Sequence, residues 1–266
     1  MREAMALIRA RWLVVLSYRL QLMFSTLGVI VSIVPIYFIS RALQPTMAGR
    51  ISGEGQEYFA FLVIGLITLG FVTTATSALH ASFSTDIGNG SLEAVLATPI
   101  SLPALLTGML GQAFTWTLIR TAMLLMGAWL LGAQIVWSKA LLTALVLALT
   151  VLAYVPFGII AAALVLAFRS TGPVPAAIVA GSMLLGGVYY PTSVIPSWLA
   201  ATSALVPLTY GLRSIRRLFI DGVPLAAVAG DVLILAGFTV VLFAVSLAFF
   251  AWAFRHARFA GTLSQY

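Results

Sequence analysis

The sequence predicts an all-α membrane protein with six transmembrane helices. It also predicts an N-terminal amphipathic interfacial helix, a short helix between spans two and three, and short re-entrant helices before span six. Three observations lead there. The 266 residues are 62% hydrophobic and 8% charged, with mean hydropathy +1.10, whereas a soluble domain is about 45–50% apolar and about 25% charged. The apolar residues fall into runs of roughly 20, the length that crosses a hydrocarbon core about 30 Å thick. Proline, glycine and charge punctuate the gaps between those runs, where helices start and stop.

Residues 1–19 place Met5, Ile8, Trp12, Val15 and Leu16 on one helical face, with Arg2, Arg9 and Ser17 on another. That division reads as an amphipathic helix lying on the membrane surface. The first apolar run begins only near Leu20, after Arg2, Arg9, Arg11 and Arg19, and no small-residue cleavage pattern follows before Pro35. This segment is therefore expected to be retained and not removed as a signal peptide. Span one runs from Leu20 to Ile39 and ends at Arg41; its Pro35 is tolerated where neighbouring helices satisfy the freed backbone group. A glycine-rich polar loop carrying Arg50, Glu54 and Glu57 leads to span two, Phe59 to Ala81. Span three covers Ala104 to Leu131, span four Ala140 to Phe168 and span five Val174 to Tyr189. Between Tyr190 and Pro224, the prolines at 191, 196 and 207 cut a half-apolar stretch into pieces too short to span, which predicts re-entrant or interfacial helices. The last span, Val228 to Phe254, ends at Arg255, His256 and Arg258. With no internal repeat, low-complexity tract or soluble module, residues 1–266 read as one transmembrane domain.

Composition also argues against several functions. The net charge is +7, but its basic residues are scattered without an aromatic-interleaved stripe, so lipid headgroups are expected partners and nucleic acid is not. There is no cysteine, and His80 and His256 stand alone, which argues against disulfides and a zinc centre. The only lysine, Lys139, follows Val136-Trp137-Ser138 and lacks the spaced glycines of a phosphate-binding loop. No nucleophile elbow or close carboxylate pair is present. Neither catalysis nor a cofactor is expected in this chain.

The polar stretch Ser84 to Pro103, STDIGNGSLEAVLATPISLP, carries ordered helix signals. Ser91 can cap a helix, Glu93 sits in its first turn at the positive end of the dipole, and Pro99 stops it. Leu92, Val95 and Leu96 then share one face. A short capped helix of this kind suits a groove on a partner protein; on spacing alone, an ordinary interhelical loop is the commoner arrangement.

Gly90-Ser91-Leu92-Glu93 followed by Leu96-Ala97-Thr98-Pro99-Ile100-Ser101 resembles the intracellular motif of ABC-2-type transporter permeases, the membrane subunits of a group of ABC exporters. Gly187-Val188-Tyr189-Tyr190-Pro191 with Ile195-Pro196-Ser197-Trp198-Leu199 resembles their outer segment before the last span. Pro207-Leu208-Thr209-Tyr210 with Leu212-Arg213 and Asp221-Gly222 continues that likeness, which in layout covers essentially the whole chain. The resemblance implies that residues 84–103 form a cytoplasmic coupling-helix loop, with Gly90, Ser91, Leu92, Glu93, Val95 and Leu96 docking on a separate ABC ATPase subunit that binds ATP and Mg. It also implies a permease dimer, homodimeric or heterodimeric, in a prokaryotic plasma membrane with both termini cytoplasmic. Charge alone barely orients the chain: Arg2, Arg9, Arg11, Arg19, Arg169, Arg255 and Arg258 face Arg41, Arg50, Lys139, Arg213, Arg216 and Arg217. The implied activity is ATP-driven export of an amphipathic, drug-like or lipid-like compound, with a lipid-linked glycan as the alternative cargo. A self-sufficient secondary transporter or channel is the competing class; it should carry more acids or histidines within its spans.

Individual residues carry further expectations. Arg120 lies inside span three, about 16 residues past Ala104 and roughly 24 Å along the helix. There it either meets an anionic substrate or headgroup, or snorkels or is internally hydrogen-bonded in the outer half of the helix. Arg213, Arg216 and Arg217 share one helical face, where they would bind phosphate headgroups, guide an acidic substrate, or pair with Asp221 and solvent. Tyr189 and Tyr190 fit an aromatic belt, with Tyr190 a candidate lipid or substrate contact. The hydroxyls of Thr68, Thr73, Thr74, Thr76 and Ser77 are expected to serve helix packing.

Overall fold

The computed structural model describes residues 9, 12–13, 17–51, 53–55, 57–88, 102–168 and 173–259. Among these residues the fold is wholly helical: α1 (Arg19–Met47), α2 (Tyr58–Gly88), α3 (Leu102–Leu130), α4 (Ala140–Phe168), α5 (Val174–Leu185), α6 (Ser197–Ser203), α7 (Pro207–Phe219) and α8 (Ala229–Phe259). Single 3₁₀ turns at Trp137–Lys139, Thr192–Val194 and Leu225–Val228 lead into α4, α6 and α8. Most of the N-terminal segment and residues 89–101 lie outside the described residues, so the expected interfacial and coupling helices have no structural account here.

Five of the described helices reach span length, with apolar stretches at Met23–Met47, Tyr58–Ala78, Leu110–Leu130, Trp137–Ala161 and Leu225–Ala253. The expected fifth span falls short. Helix α5 has 12 residues, about 18 Å against a hydrocarbon core of about 30 Å. It stops because Gly186 caps it and Gly187 adopts φ 78°, a left-handed conformation open to glycine and strained for most residues. The apolar run to Tyr189 hides that turn. Three other helices extend well past their predicted ends; α8 runs beyond Phe254 to Phe259. Helix α1 continues through Arg41 and Pro45 to Met47, and α2 continues through Ser84 to Gly88.

Helix α2 is the centre of the bundle. Of its apolar stretch 78% is buried, against 17% in α1 and 11% in both α3 and α8. It packs against α1, α3, α4, α5 and α7, while α8 covers α4 and α7. Val29 and Ile33 of α1, Val63, Ile67 and Phe71 of α2, and Leu124 and Ala128 of α3 form one apolar layer. Val72 and Ala75 of α2, Tyr154 of α4, and Leu208 and Leu212 of α7 form another. The outer helices turn large apolar side chains outward, among them Phe24 and Phe38 on α1, Trp129 on α3 and Leu233 and Val240 on α8. Such a surface suits lipid or another membrane chain and would be a liability in water.

Close helix approach rests on small residues, as in other membrane bundles. A Cβ on Gly158 of α4 would sit 2.7 Å from the Ala75 carbonyl of α2, and one on Gly211 of α7 would sit 2.4 Å from Thr150 Oγ1 of α4. Several hydroxyls are satisfied locally or across helices, while those of Thr143 and Ser214 are buried without a partner among the described residues. Thr68 and Thr76 donate to the carbonyls of Ile64 and Val72, and Thr74 Oγ1 meets Thr117 Oγ1 at 2.7 Å between α2 and α3. The buried Tyr154 hydroxyl donates to Ser182 Oγ at 2.7 Å, tying α4 to α5.

Gly158→Ala is expected to destabilise by about 1–3 kcal/mol through overpacking against backbone. Gly237→Ala, where a Cβ meets nothing within 4 Å, is expected to be neutral or stabilising by up to about 1 kcal/mol. Thermal midpoints of the purified variants in one detergent measure the contrast; equal midpoints would refute the close α2–α4 approach.

Candidate functional site

Polar chemistry collects at the end of the bundle where α1 finishes and α2 begins, at the opposite end of α2 from Gly88. It is organised by α7. Pro207 occupies the first turn, where a missing N–H costs nothing, and Leu208, Leu212, Ile215, Leu218 and Phe219 turn inward. Arg213 and Arg217 lie at the outer edge, but Arg216 is 1% exposed.

A buried guanidinium demands partners for all five of its N–H groups, and Arg216 has them. Nη1 donates to Glu54 Oε2 at 3.0 Å and to the Gly187 carbonyl at 2.8 Å. Nη2 donates to the carbonyls of Val188 at 2.9 Å and Phe61 at 3.1 Å, and Nε reaches the Phe61 carbonyl at 3.3 Å. The guanidinium also lies over the Phe61 ring, 3.3 Å from its centroid. Space for it comes from Gly65, whose missing Cβ would stand 2.8 Å from Nη2 and 2.4 Å from the Val188 carbonyl. The Gly187 turn aims two successive carbonyls at the cation. Burial pulls the Arg216 pKa down to about 10, with Glu54 acting in the opposite sense, so the group stays charged at neutral pH.

The face shared by the three arginines is therefore split in the fold. Arg216 has no donor left for lipid or substrate. Arg213 forms a bidentate pair with Asp231 at the start of α8, Nε to Oδ2 at 2.7 Å and Nη2 to Oδ1, and this hydrogen-bonded contact raises its pKa. Arg217 donates to the Ala227 carbonyl at 3.0 Å. The expected partner was Asp221, on the next turn of chain. Burial raises the Asp221 pKa and the Arg217 charge opposes that rise. The hydrogen-bonded acids, however, come from the loop before α2 and from α8, and the carbonyls from α2, the turn after α5 and the 3₁₀ turn before α8, because α7 is packed between α2, α4 and α8. Glu54, Phe61, Gly65 and Asp231 are the residues that sequence reasoning missed. The faint signals for them were a glycine inside a bulky span and acids beside apolar runs.

Tyr190 is half-buried and donates to the Leu184 carbonyl at 2.6 Å, while Tyr58 Oη holds the Tyr189 carbonyl at 2.7 Å. Both tyrosine contacts fix the turn after α5. Arg120 is exposed on α3, about 15 Å from its Leu130 end and about 27 Å from its Leu102 end. Arg120 has no hydrogen bond or ion pair among the described residues. Gly90, Ser91, Leu92, Glu93, Val95 and Leu96 lie outside the described residues.

Two open clefts flank the Arg216 network. One, of about 160 Å³, is lined by Tyr37, Arg41, Gln44 and Glu57. In it the Arg41 Nε donates to Tyr37 Oη at 3.3 Å and Glu57 accepts from the Gln134 N–H. The other, of about 330 Å³, is lined by Arg50, Glu54, Thr192, Ser193 and Arg213. Among the described residues no cluster of histidine and acid could hold a metal ion.

Residues 2–220 match the model of the ABC-2 type transporter family. The chain is 27% identical over 206 residues to "Nodulation protein J" of Rhizobium leguminosarum bv. viciae, covering 76% of this chain and 77% of that protein. It is also 27% identical over 203 residues to "Nodulation protein J" of Rhizobium leguminosarum bv. trifolii, 76% of each chain. A third protein of that name, from Bradyrhizobium diazoefficiens, is 26% identical over 177 residues, 66% of each.

Arg216→Met should cost about 3–5 kcal/mol, because half-buried Glu54 loses its counter-charge and three buried carbonyls lose their donor. Arg216→Lys should rescue little of this, since an ammonium has three donors and no planar fork. Thermal unfolding of the purified variants measures both; a lysine variant as stable as the parent would refute the five-bond clamp.

Proposed function

The chain belongs to the ABC-2 type transporter family, and from that membership we propose that it is the permease subunit of an ATP-driven exporter of amphipathic or lipid-like compounds. Members of this family are membrane transport components that work with an ABC ATPase subunit. The observation that carries the proposal is the family match across residues 2–220, with Gly90-Ser91-Leu92-Glu93 placed between the second and third long apolar helices.

In this reading a cytoplasmic ATPase binds ATP and Mg and grips residues 89–101, with Ser91 and Glu93 at the start of a coupling helix and Leu92, Val95 and Leu96 as its apolar face. Closure of two ATPase subunits on ATP moves both coupling helices, and the permease dimer responds by exchanging one helix packing for another. Both termini face the cytoplasm of a prokaryotic plasma membrane, and the short α5 serves as the fifth of six crossings. The outward apolar faces of α1 and α3 support contact with lipid and a second copy. Arg120 supports an anionic group on the cargo, since a cation within a span that has no described partner favours an opposite charge. A lipid-linked glycan satisfies the same requirement as a simpler lipid-like compound.

Co-expression with an ABC ATPase encoded beside this gene is expected to yield a co-purifying complex. Deleting residues 92–96 should abolish co-purification while leaving the permease monodisperse in detergent. Glu93→Ala should weaken the complex about fivefold, as for a charge pair worth roughly 1 kcal/mol. Unchanged co-purification after the deletion would overturn the docking assignment.

A further inference from the structure

The larger cleft beside the Arg216 network has unused donors. Arg50, one turn past the end of α1, is exposed, and its guanidinium has no hydrogen bond or ion pair among the described residues. Across the cleft Arg213 spends Nε and Nη2 on Asp231, which leaves its Nη1 edge without a described partner and its side chain 38% exposed. The hydroxyls of Thr192 and Ser193, on the 3₁₀ turn between them, likewise have no described partner.

The charges do not cancel. Asp231 balances Arg213, and Glu54, which also lines the cleft, is balanced by Arg216 behind it. Arg50 is the surplus. A volume of about 330 Å³ lies at the lower end of ligand-pocket sizes, roughly 300–1,000 Å³, so the occupant is small or is one end of a larger molecule. A planar carboxylate is satisfied by a single guanidinium edge, as Asp231 is by Arg213. Donors converging from two arginines and two hydroxyls suit an anion with oxygens in several directions, which is a phosphate. The position fits as well. The cleft lies where α1 ends and α2 begins, the level at which lipid headgroups meet a membrane bundle.

We propose that the Arg50–Thr192–Ser193–Arg213 cleft binds an anionic phosphate headgroup, with Arg50 as its principal contact. This site is separate from the ATPase-docking segment and does not depend on the exporter reading; failure of ATP-driven export would leave it standing.

The test is binding to the full-length purified chain, followed by thermal stabilisation in neutral detergent. Three probes are titrated: phosphatidylglycerol in mixed micelles with phosphatidylcholine, phosphatidylcholine mixed micelles alone, and inorganic phosphate. Phosphatidylglycerol should stabilise the parent protein, and Arg50→Gln should weaken that effect about tenfold, the loss of one charge-assisted contact. Arg50 has no described partner, so this variant should fold as the parent does. Arg41→Gln, at the same end but in the other cleft, should bind as the parent does. Stabilisation by phosphatidylglycerol alone assigns a lipid headgroup, and stabilisation by inorganic phosphate as well assigns phosphate itself; either supports the site. Parent-like binding by Arg50→Gln, an equal loss in Arg41→Gln, or no response to any anionic probe overturns it.

Discussion

A charged guanidinium that is 1% exposed constrains everything near it. Removing such a charge from water carries a penalty of several kcal/mol, recovered only where every donor is met and an opposite charge is close. Arg216 meets both terms with Glu54, two carbonyls of the Gly187 turn and one carbonyl of α2. With α7, which carries Arg216 itself, those partners join four separate parts of the chain. The loop before α2, the first turn of α2, the turn after α5 and the last turns of α7 are therefore held in one arrangement. Neighbouring features serve that arrangement. Gly65 leaves room for the cation, Gly187 supplies the backbone angle, Tyr58 pins the Tyr189 carbonyl, and the Arg213–Asp231 pair draws α8 to the outside of α7.

The same helix that receives the clamp leads to the proposed docking segment. Helix α2 has 31 residues, about 46 Å of helix, with Phe61 near one end and Gly88 at the other, followed directly by residues 89–101. Under the permease reading, force applied by an ATPase at one end reaches a rigid polar cluster at the other through the most buried element of the bundle. The short helices α5, α6 and α7 are tied to that cluster, so they would move with α2, while α1, α3 and α8 keep their apolar faces towards lipid or a second copy.

Apolar runs were legible in the sequence because crossing a bilayer is chiefly a matter of length and composition. Span four was placed at both of its ends, Ala140 and Phe168, and four others were placed to within several residues. The short α5 was not legible, because Gly186 and Gly187 sit inside an apolar run and hydropathy carries no backbone angle. The three arginines of α7 looked equivalent at helical spacing. Their separate fates depend on Glu54, 162 residues before Arg216, and on Asp231, 18 residues beyond Arg213, and no local pattern predicts such partners. The family likeness was carried by short motifs, two of which meet physically: the Gly187–Pro191 turn and the helix opened by Pro207 both close on Arg216. The docking motif stands on sequence alone.

The central claim is that transport through this chain is powered from outside it, through the segment that follows α2. The most direct measurement reconstitutes the purified permease in liposomes with and without its ABC ATPase and follows movement of a fluorescent lipid-like cargo on addition of ATP and Mg. The account predicts movement only when both subunits and hydrolysable ATP are present. Equal movement by the permease alone, or movement driven by an ion gradient without the ATPase, would contradict it.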